Sequence, residues 1–182
     1  SKPGIAVSSA GVAQLLALSR VESGGSVLAK QPVAWAALVE QVMNDCLPLA
    51  ERRRIELECD WAQPAGREPL PLHGDAALLA VLLRNLLDNA VRYTPSGGEV
   101  EVSLLRTPHA VSLVVTDNGP GIAEAERGKV FERFHRVLGS GEDGSGLGLS
   151  IVRRIADLHR ANVALADGPN GRGLRVEVAF PF

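Results

Sequence analysis

Near the middle of the chain, the segment ending in NLLDNAVRYTP sets Asn85, Asp88, Asn89 and Arg92 at i, i+3, i+4 and i+7, one stripe of a single helix. Leu79, Leu82, Leu83, Leu86 and Ala90 fall on the other face. Asparagine is a mediocre helix former, so two of them one turn apart need a reason. Their side-chain carbonyl oxygens suit a hard cation such as Mg2+. The plain alternative is a solvated helix face, and the stripe alone does not decide between the two.

A second group follows at VSLVVTDNGPGI, where an apolar strand ends in Asp117 and runs into a turn containing Gly119 and Gly121. These glycines permit unusual dihedrals and close backbone approach. A carboxylate at such a place can accept a hydrogen bond from the exocyclic amine of adenine, whereas guanine would present a carbonyl oxygen to it. Asp-Asn-Gly-Pro-Gly is equally the composition of an ordinary hairpin turn. The third group is DGSGLGLSIV, in which Gly144, Gly146 and Gly148 precede a helix whose N-terminal amides and dipole suit a polyphosphate. A dinucleotide fold is the rival there, because the helix leads to a strand ending in Asp167, at the separation of a ribose-binding acid. It fails on two counts. The glycines are spaced Gly-x-Gly-x-Gly instead of Gly-x-Gly-x-x-Gly, and RVLGSGED before them is a polar loop where a buried strand is required.

The elements that must position these groups are legible from hydrophobic periodicity. Asp75 can cap a helix from about Ala76 to Tyr93, and strands follow at Val100, Val102, Leu104 and at Val111, Leu113, Val115, an adjacent antiparallel pair. A helix from about Gly148 to Arg160 leads to VALAD and to a last strand with Leu174, Val176, Val178 and Phe180 on one face. Upstream, Val12, Leu15, Leu16 and Val21 predict the end of a longer helix that stops at Gly24-Gly25. Trp35, Leu38, Val39, Val42, Cys46, Leu49 and Ala50 predict a helix from Val33 to about Arg53, kinked or broken at Pro48, with its arginine-rich end in solvent. Ile55, Leu57 and Cys59 alternate with glutamates as a half-buried strand, and the loop after them has room for another short strand. Between Asn118 and Gly146 no periodicity survives apart from a short piece at VFERFHRV. Loops of that length are usually functional, and this one is a candidate lid. The class is α/β, with helices on one side of a sheet.

With 182 residues the chain can bury one substantial core. Its 19 basic and 21 acidic residues are interspersed, which leaves no electrostatic footprint for nucleic acid or an anionic membrane. Cys46 and Cys59 sit at apolar positions of a helix and a strand and read as small buried hydrophobes in a reducing compartment. Neither a membrane span nor a signal peptide is visible, so a soluble chain is expected.

Taken in order, NLLDNAVRYTP, DNGPGI, VFERFHR and GSGLGLSIV resemble the N box, first glycine box, F box and second glycine box of bacterial two-component sensor histidine kinases of the OmpR-partner type. The resemblance runs from about residue 30 to the end, and residues 8 to 25 resemble the last part of the dimerisation helix. It implies the Bergerat ATP-binding fold, a two-layer α/β sandwich whose mixed, mostly antiparallel sheet is covered on one side by three helices. Residues 1–25 would be a remnant of dimerisation helix and linker, 26–182 the ATP-binding catalytic domain, and 118–146 the ATP lid. The implied cofactors are ATP and Mg2+. Asn89 would coordinate the metal with Asn85 in support, Arg92 would approach the phosphates and Tyr93 would pack at the nucleotide. Asp117 would read adenine, with Gly119, Gly121 and Ile122 shaping its pocket. Phe131 and Phe134 would anchor the lid, Arg136 would reach the terminal phosphate, and Gly144, Gly146, Leu147 and Gly148 would enclose the phosphates.

Two departures shape the expected function. In the gyrase-like and chaperone ATPases that this fold also resembles, a glutamate one turn before the metal-binding asparagine activates water. That position here is Asn85, and an amide cannot act as a general base. His135 stands where such kinases often have tyrosine, and none of His73, His109, His135 and His159 has the acidic neighbour and downstream proline of the family's phosphoacceptor motif. The expectation is therefore a histidine-kinase catalytic domain that phosphorylates a histidine on a separate dimerisation domain, for relay to a response regulator. The piece itself would be monomeric, and its homodimeric parent would sit in the bacterial inner membrane.

Overall fold

The computed structural model describes residues 16, 19, 30–60, 72–129 and 148–181. The N-terminal helix expected around Val12 to Val21 lies outside the described residues except for Leu16 and Ser19, both helical. So do Phe131, Phe134, His135, Arg136, Gly144, Gly146 and Leu147.

From Lys30 onward the elements are β1 (Gln31–Pro32), α1 (Trp35–Arg52), β2 (Glu56–Asp60), β3 (His73–Gly74), α2 (Ala76–Tyr93), β4 (Glu99–Arg106), β5 (Ala110–Asp117), α3 (Glu124–Arg127), α4 (Gly148–Leu158), β6 (Asn162–Asp167) and β7 (Leu174–Pro181). Five strands form one sheet in the order β2-β4-β5-β7-β6, parallel between β2 and β4 and antiparallel elsewhere. The parallel pair needs a crossover connection, and α2 lies within it. The short strands β1 and β3 pair separately and bring the start of α1 beside the start of α2.

Register makes the sheet two-faced. Val100, Val102 and Leu104 of β4 stand opposite Asp117, Val115 and Leu113 of β5, while Val115, Leu113 and Val111 stand opposite Val176, Val178 and Phe180 of β7. These apolar residues join Trp35, Leu38, Val39 and Val42 of α1, the leucines of α2, and Ile151, Val152 and Ile155 of α4 in one core. The alternate positions face away: Glu56, Glu58 and Asp60 on β2, Glu99 and Glu101 on β4, Arg175 and Glu177 on β7. Among the described residues three helices thus cover one face of a mixed sheet, as expected. Helix α2 is central, packed against both α1 and α4. That explains why Val81, Leu87 and Val91 are buried in addition to its core stripe.

Asp75 caps α2 as expected, its Oδ1 accepting from the Leu78 amide at 3.2 Å. Two details bear on the expectation of a helix kinked or broken at Pro48 with its arginine-rich end in solvent. Helix α1 runs through Pro48 without a break, because Cys46 and Ala50 on either side are buried and hold the last turn against the core. Its arginine-rich end is not wholly in solvent either. Arg52 and Arg54 are exposed, but Arg53 reaches across to the far end of α2, donating from Nη2 to the Arg92 carbonyl at 2.7 Å and from Nε to the Val91 carbonyl at 3.2 Å. A positive φ of 55° at Arg54 turns the chain sharply after it.

Candidate nucleotide site

The two asparagines of α2 and the start of α4 meet. A Cβ at Gly148 would stand 3.1 Å from Asn89 Nδ2, 3.3 Å from Asn89 Oδ1 and 3.5 Å from Asn85 Oδ1. The absence of a side chain at Gly148 lets the two helices close to this distance. Asn85 is buried, unlike a residue on a solvated face, and its Nδ2 donates to the Val81 carbonyl one turn back at 2.8 Å. That bond fixes the amide so that the oxygen is turned toward Gly148. Asn89 is half-buried. One turn on, Arg92 Nε donates to Asp88 Oδ2 at 2.9 Å, an i,i+4 pair that holds the guanidinium along α2.

The second part of the site is built at the end of β5. Asp117 occupies the last core-facing position of that strand and is buried. Its Oδ1 accepts from the Gly119 amide at 2.9 Å, a side-chain turn that folds the chain back immediately. The loop then passes under the end of α2. A Cβ at Gly119 would stand 3.3 Å from both the Tyr93 carbonyl oxygen and Thr94 Cα. Burial pushes the Asp117 carboxyl above its usual range, against the opposing pull of amide hydrogen bonds from Gly119 and Leu174. A carboxylate desolvated in this way gains most from a ligand that donates to it.

Gly168 and Gly173, which belong to none of the four motifs, create the space for Asp117. A Cβ at Gly173 would overlap the Asp117 carbonyl oxygen at 1.8 Å, and one at Gly168 would lie 2.8 Å from the same atom. Gly121, at φ +73°, packs on the Gly173 carbonyl in turn. The clue was available in GPNGRG, but its meaning depends on the β6–β7 turn meeting the end of β5.

The described residues therefore bring Asn85, Asn89 and Gly148 together on one side, and Tyr93, Asp117, Gly119 and Gly121 on the other, with α2 common to both. Ile122 is half-buried at the far end of the glycine loop. No three or more histidine, cysteine, aspartate or glutamate side chains among the described residues are grouped as a metal site. No described helix is long and apolar enough to cross a membrane.

A central helix carrying amides against a glycine-started helix, beside a buried carboxylate in a glycine turn, defines a class of ATP-binding domain. Residues 74–182 match the family described as "Histidine kinase-, DNA gyrase B-, and HSP90-like ATPase", and the chain belongs to that family. Within it, the relatives are sensor histidine kinases, and the chain is of their ATP-binding catalytic type. It is 40% identical over 171 residues to the sensor protein kinase PmrB of Pseudomonas aeruginosa, covering 92% of this chain and 34% of that protein. It thus spans about a third of the length of the curated relatives it matches. Among solved structures, the mycobacterial sensor histidine kinase MprB superposes with a TM-score of 0.69 at 33% identity, over 84% of this chain and 97% of that one. Full-length ShkA in complex with AMPPNP superposes with a TM-score of 0.77 at 30% identity, over 94% of this chain and 35% of that one.

Proposed function

We propose that the chain holds Mg-ATP and passes its γ-phosphoryl group to a histidine on the dimerisation domain of the same kinase, from which it is relayed to an aspartate of a response regulator. The observation that supports this reading is the approach of Gly148 to Asn89 and Asn85, since amide oxygens of the kind that suit a hard cation then lie beside the start of α4. Asn89, with Asn85 in support, supplies hard oxygen ligands, and two amides alone suit an ion that arrives already bound to phosphate oxygens. The metal would neutralise charge on the β- and γ-phosphates during transfer. Asp117 would accept from the adenine amine. Tyr93, Gly119, Gly121 and Ile122 would line the base, and Gly148 with Gly144, Gly146 and Leu147 would enclose the phosphates. Arg92 would leave Asp88 for the phosphates, and Phe134 and Arg136 would act from the lid. The γ-phosphorus to bridging-oxygen bond breaks, ADP leaves, and the histidine nitrogen takes the phosphoryl group. Asn85 bears an amide where a general base would sit, which favours transfer to histidine over hydrolysis. The parent would be a homodimer with its sensor in the inner membrane and this domain in the cytoplasm.

The test is calorimetric titration of Mg-ATP and Mg-GTP into the chain, with Asp117→Asn and Asn89→Ala alongside. ATP binding without GTP binding, weakened by both substitutions, is expected. Mixing the chain with a separate histidine-containing dimerisation domain should then yield phosphate on that domain that is acid-labile and alkali-stable. Rapid steady-state ATP hydrolysis, lost in Asn89→Ala, would overturn the transfer reading.

A further inference from the structure

Arg127 lies outside all four motifs, at the end of α3, and makes two contacts that close a ring around Asp117. Its Nε donates to the Ile122 carbonyl at 3.1 Å, and its Nη2 donates to Asp167 Oδ1 at 2.6 Å. Asp167 stands opposite Leu174 in the β6–β7 register, and the Leu174 amide donates to the Asp117 carboxyl. From Asp117 the ring continues through Gly119, whose amide bonds the same carboxyl, and through Gly121, seated on the Gly173 carbonyl, to Ile122 and back to Arg127. An exposed ion pair contributes little by itself, and Asp167 is 68% exposed. Arg127 differs from such a pair in having a second, carbonyl arm and in being only 22% exposed, so its planar fork ties loop to strand at a fixed angle.

We propose that Arg127 is a positioning residue for nucleotide binding, pinning the glycine loop from Gly119 to Ile122 to strand β6 so that the base pocket is preformed. This rests on the nucleotide reading given above. The effect falls on binding, because the loop adjoins the base while the groups assigned to the phosphates stand on α2 and α4. Preorganising a loop raises affinity by removing the cost of ordering it when the ligand arrives.

The experiment measures Mg-ATP affinity by calorimetry for wild type, Arg127→Met, Asp167→Asn, Asp167→Glu and the Arg127→Met/Asp167→Asn double variant, with nucleotide-free melting temperatures recorded beside them. Arg127→Met should weaken binding by roughly three- to tenfold and Asp167→Asn by less, with the double variant no weaker than Arg127→Met and each chain still melting well above the assay temperature. Asp167→Glu, which keeps the charge, should bind like wild type. Unchanged affinity in Arg127→Met, or losses that add in the double variant, would overturn the inference while leaving the nucleotide site intact. So would a melting temperature that falls to the assay temperature in Arg127→Met, where unfolded chain alone accounts for the lost affinity and the role is merely structural. A wild-type chain that binds no ATP would overturn the nucleotide reading and this inference with it.

Discussion

Gly173 and Asp117 touch backbone to backbone: the Cβ that any other residue would carry at Gly173 would lie 1.8 Å from the Asp117 carbonyl oxygen. The β6–β7 turn therefore determines where the carboxyl of Asp117 can stand. Gly173→Ala meets this clash and also a φ of +75°. A loss of roughly 3 kcal/mol in unfolding free energy is expected from overpacking and backbone strain combined. Urea denaturation checks it.

Gly148→Ala acts on the other half of the site. Its methyl would press on the Asn89 amide, which is half-buried and can move by a few tenths of an ångström. Stability should change little, because alanine is at least as good a helix residue as glycine. Mg-ATP affinity should fall by roughly tenfold as Asn89 is displaced from its place. Comparing melting temperature with calorimetric affinity separates the two effects.

Asp117→Asn should trade binding for stability. Burial raises the carboxyl's pKa in the fold, so the ionised form costs stability at neutral pH, and that cost disappears only as pH falls toward the unfolded value. The substitution should raise the melting temperature of the nucleotide-free chain at pH 7 and remove most of that gain at pH 4. Its amide retains one acceptor oxygen but no charge, and ATP affinity should drop by roughly tenfold or more.

His159 gives the fold a second pH dependence. Its Nδ1 lies 2.8 Å from the Ile155 carbonyl, and its Nε2 accepts from the Asp75 amide at 3.1 Å, so the ring joins the end of α4 to the cap of α2. An Nε2 that accepts must be unprotonated, and burial lowers the pKa from 6.5 despite the Ile155 carbonyl and nearby Asp75. The unfolded chain therefore takes up the proton first. The stabilisation is complete above about pH 6.5 and declines as pH falls below it. His159→Gln should lower stability by about 1 kcal/mol at pH 8 and flatten the decline between pH 7 and 5. Thermal melts across that pH range are the check.

Arg53→Met should release the carbonyl end of α2. Two hydrogen bonds from one guanidinium to the last turn of a helix are together worth about 2 kcal/mol, including compensation of the helix dipole. Arg53→Lys should recover about half of it, because an ammonium cannot span both carbonyls in one plane. Amide hydrogen exchange near Val91 and Arg92 should quicken in the methionine variant.

What could be read from the chain beforehand follows from how local each feature is. Asp75 announced the start of α2 because a cap and an apolar period lie within a few residues of one another, and the alternation of Val111, Leu113 and Val115 announced β5 in the same way. The stripe of Asn85 and Asn89 was visible, but the burial of Asn85 was not, since it depends on α4 packing across it. Pro48 suggested a break because propensity is a local quantity, whereas the burial of Cys46 and Ala50 is tertiary. A triplet of arginines reads as solvated, and nothing within ten residues of Arg53 points to carbonyls nearly forty positions away. Two-residue strands such as β1 and β3 carry no period at all.

The outer row of acids on β2 and β4 has a bearing on how copies of the chain meet one another. Among the described residues β2 lies at the end of the sheet, and an end strand is a template on which a second chain could add a strand. Glu56, Glu58 and Asp60 guard that margin with negative charge, backed by Glu99 and Glu101 on the neighbouring strand. Glu58 shares a hydrogen bond with Glu56 and feels the repulsion of Glu56, Glu99 and Glu101, which raises its pKa and makes it an early carboxylate to lose charge on acidification. As that charge is lost, mutual repulsion between the margins of two chains weakens, and the guard against edge-to-edge pairing weakens with it.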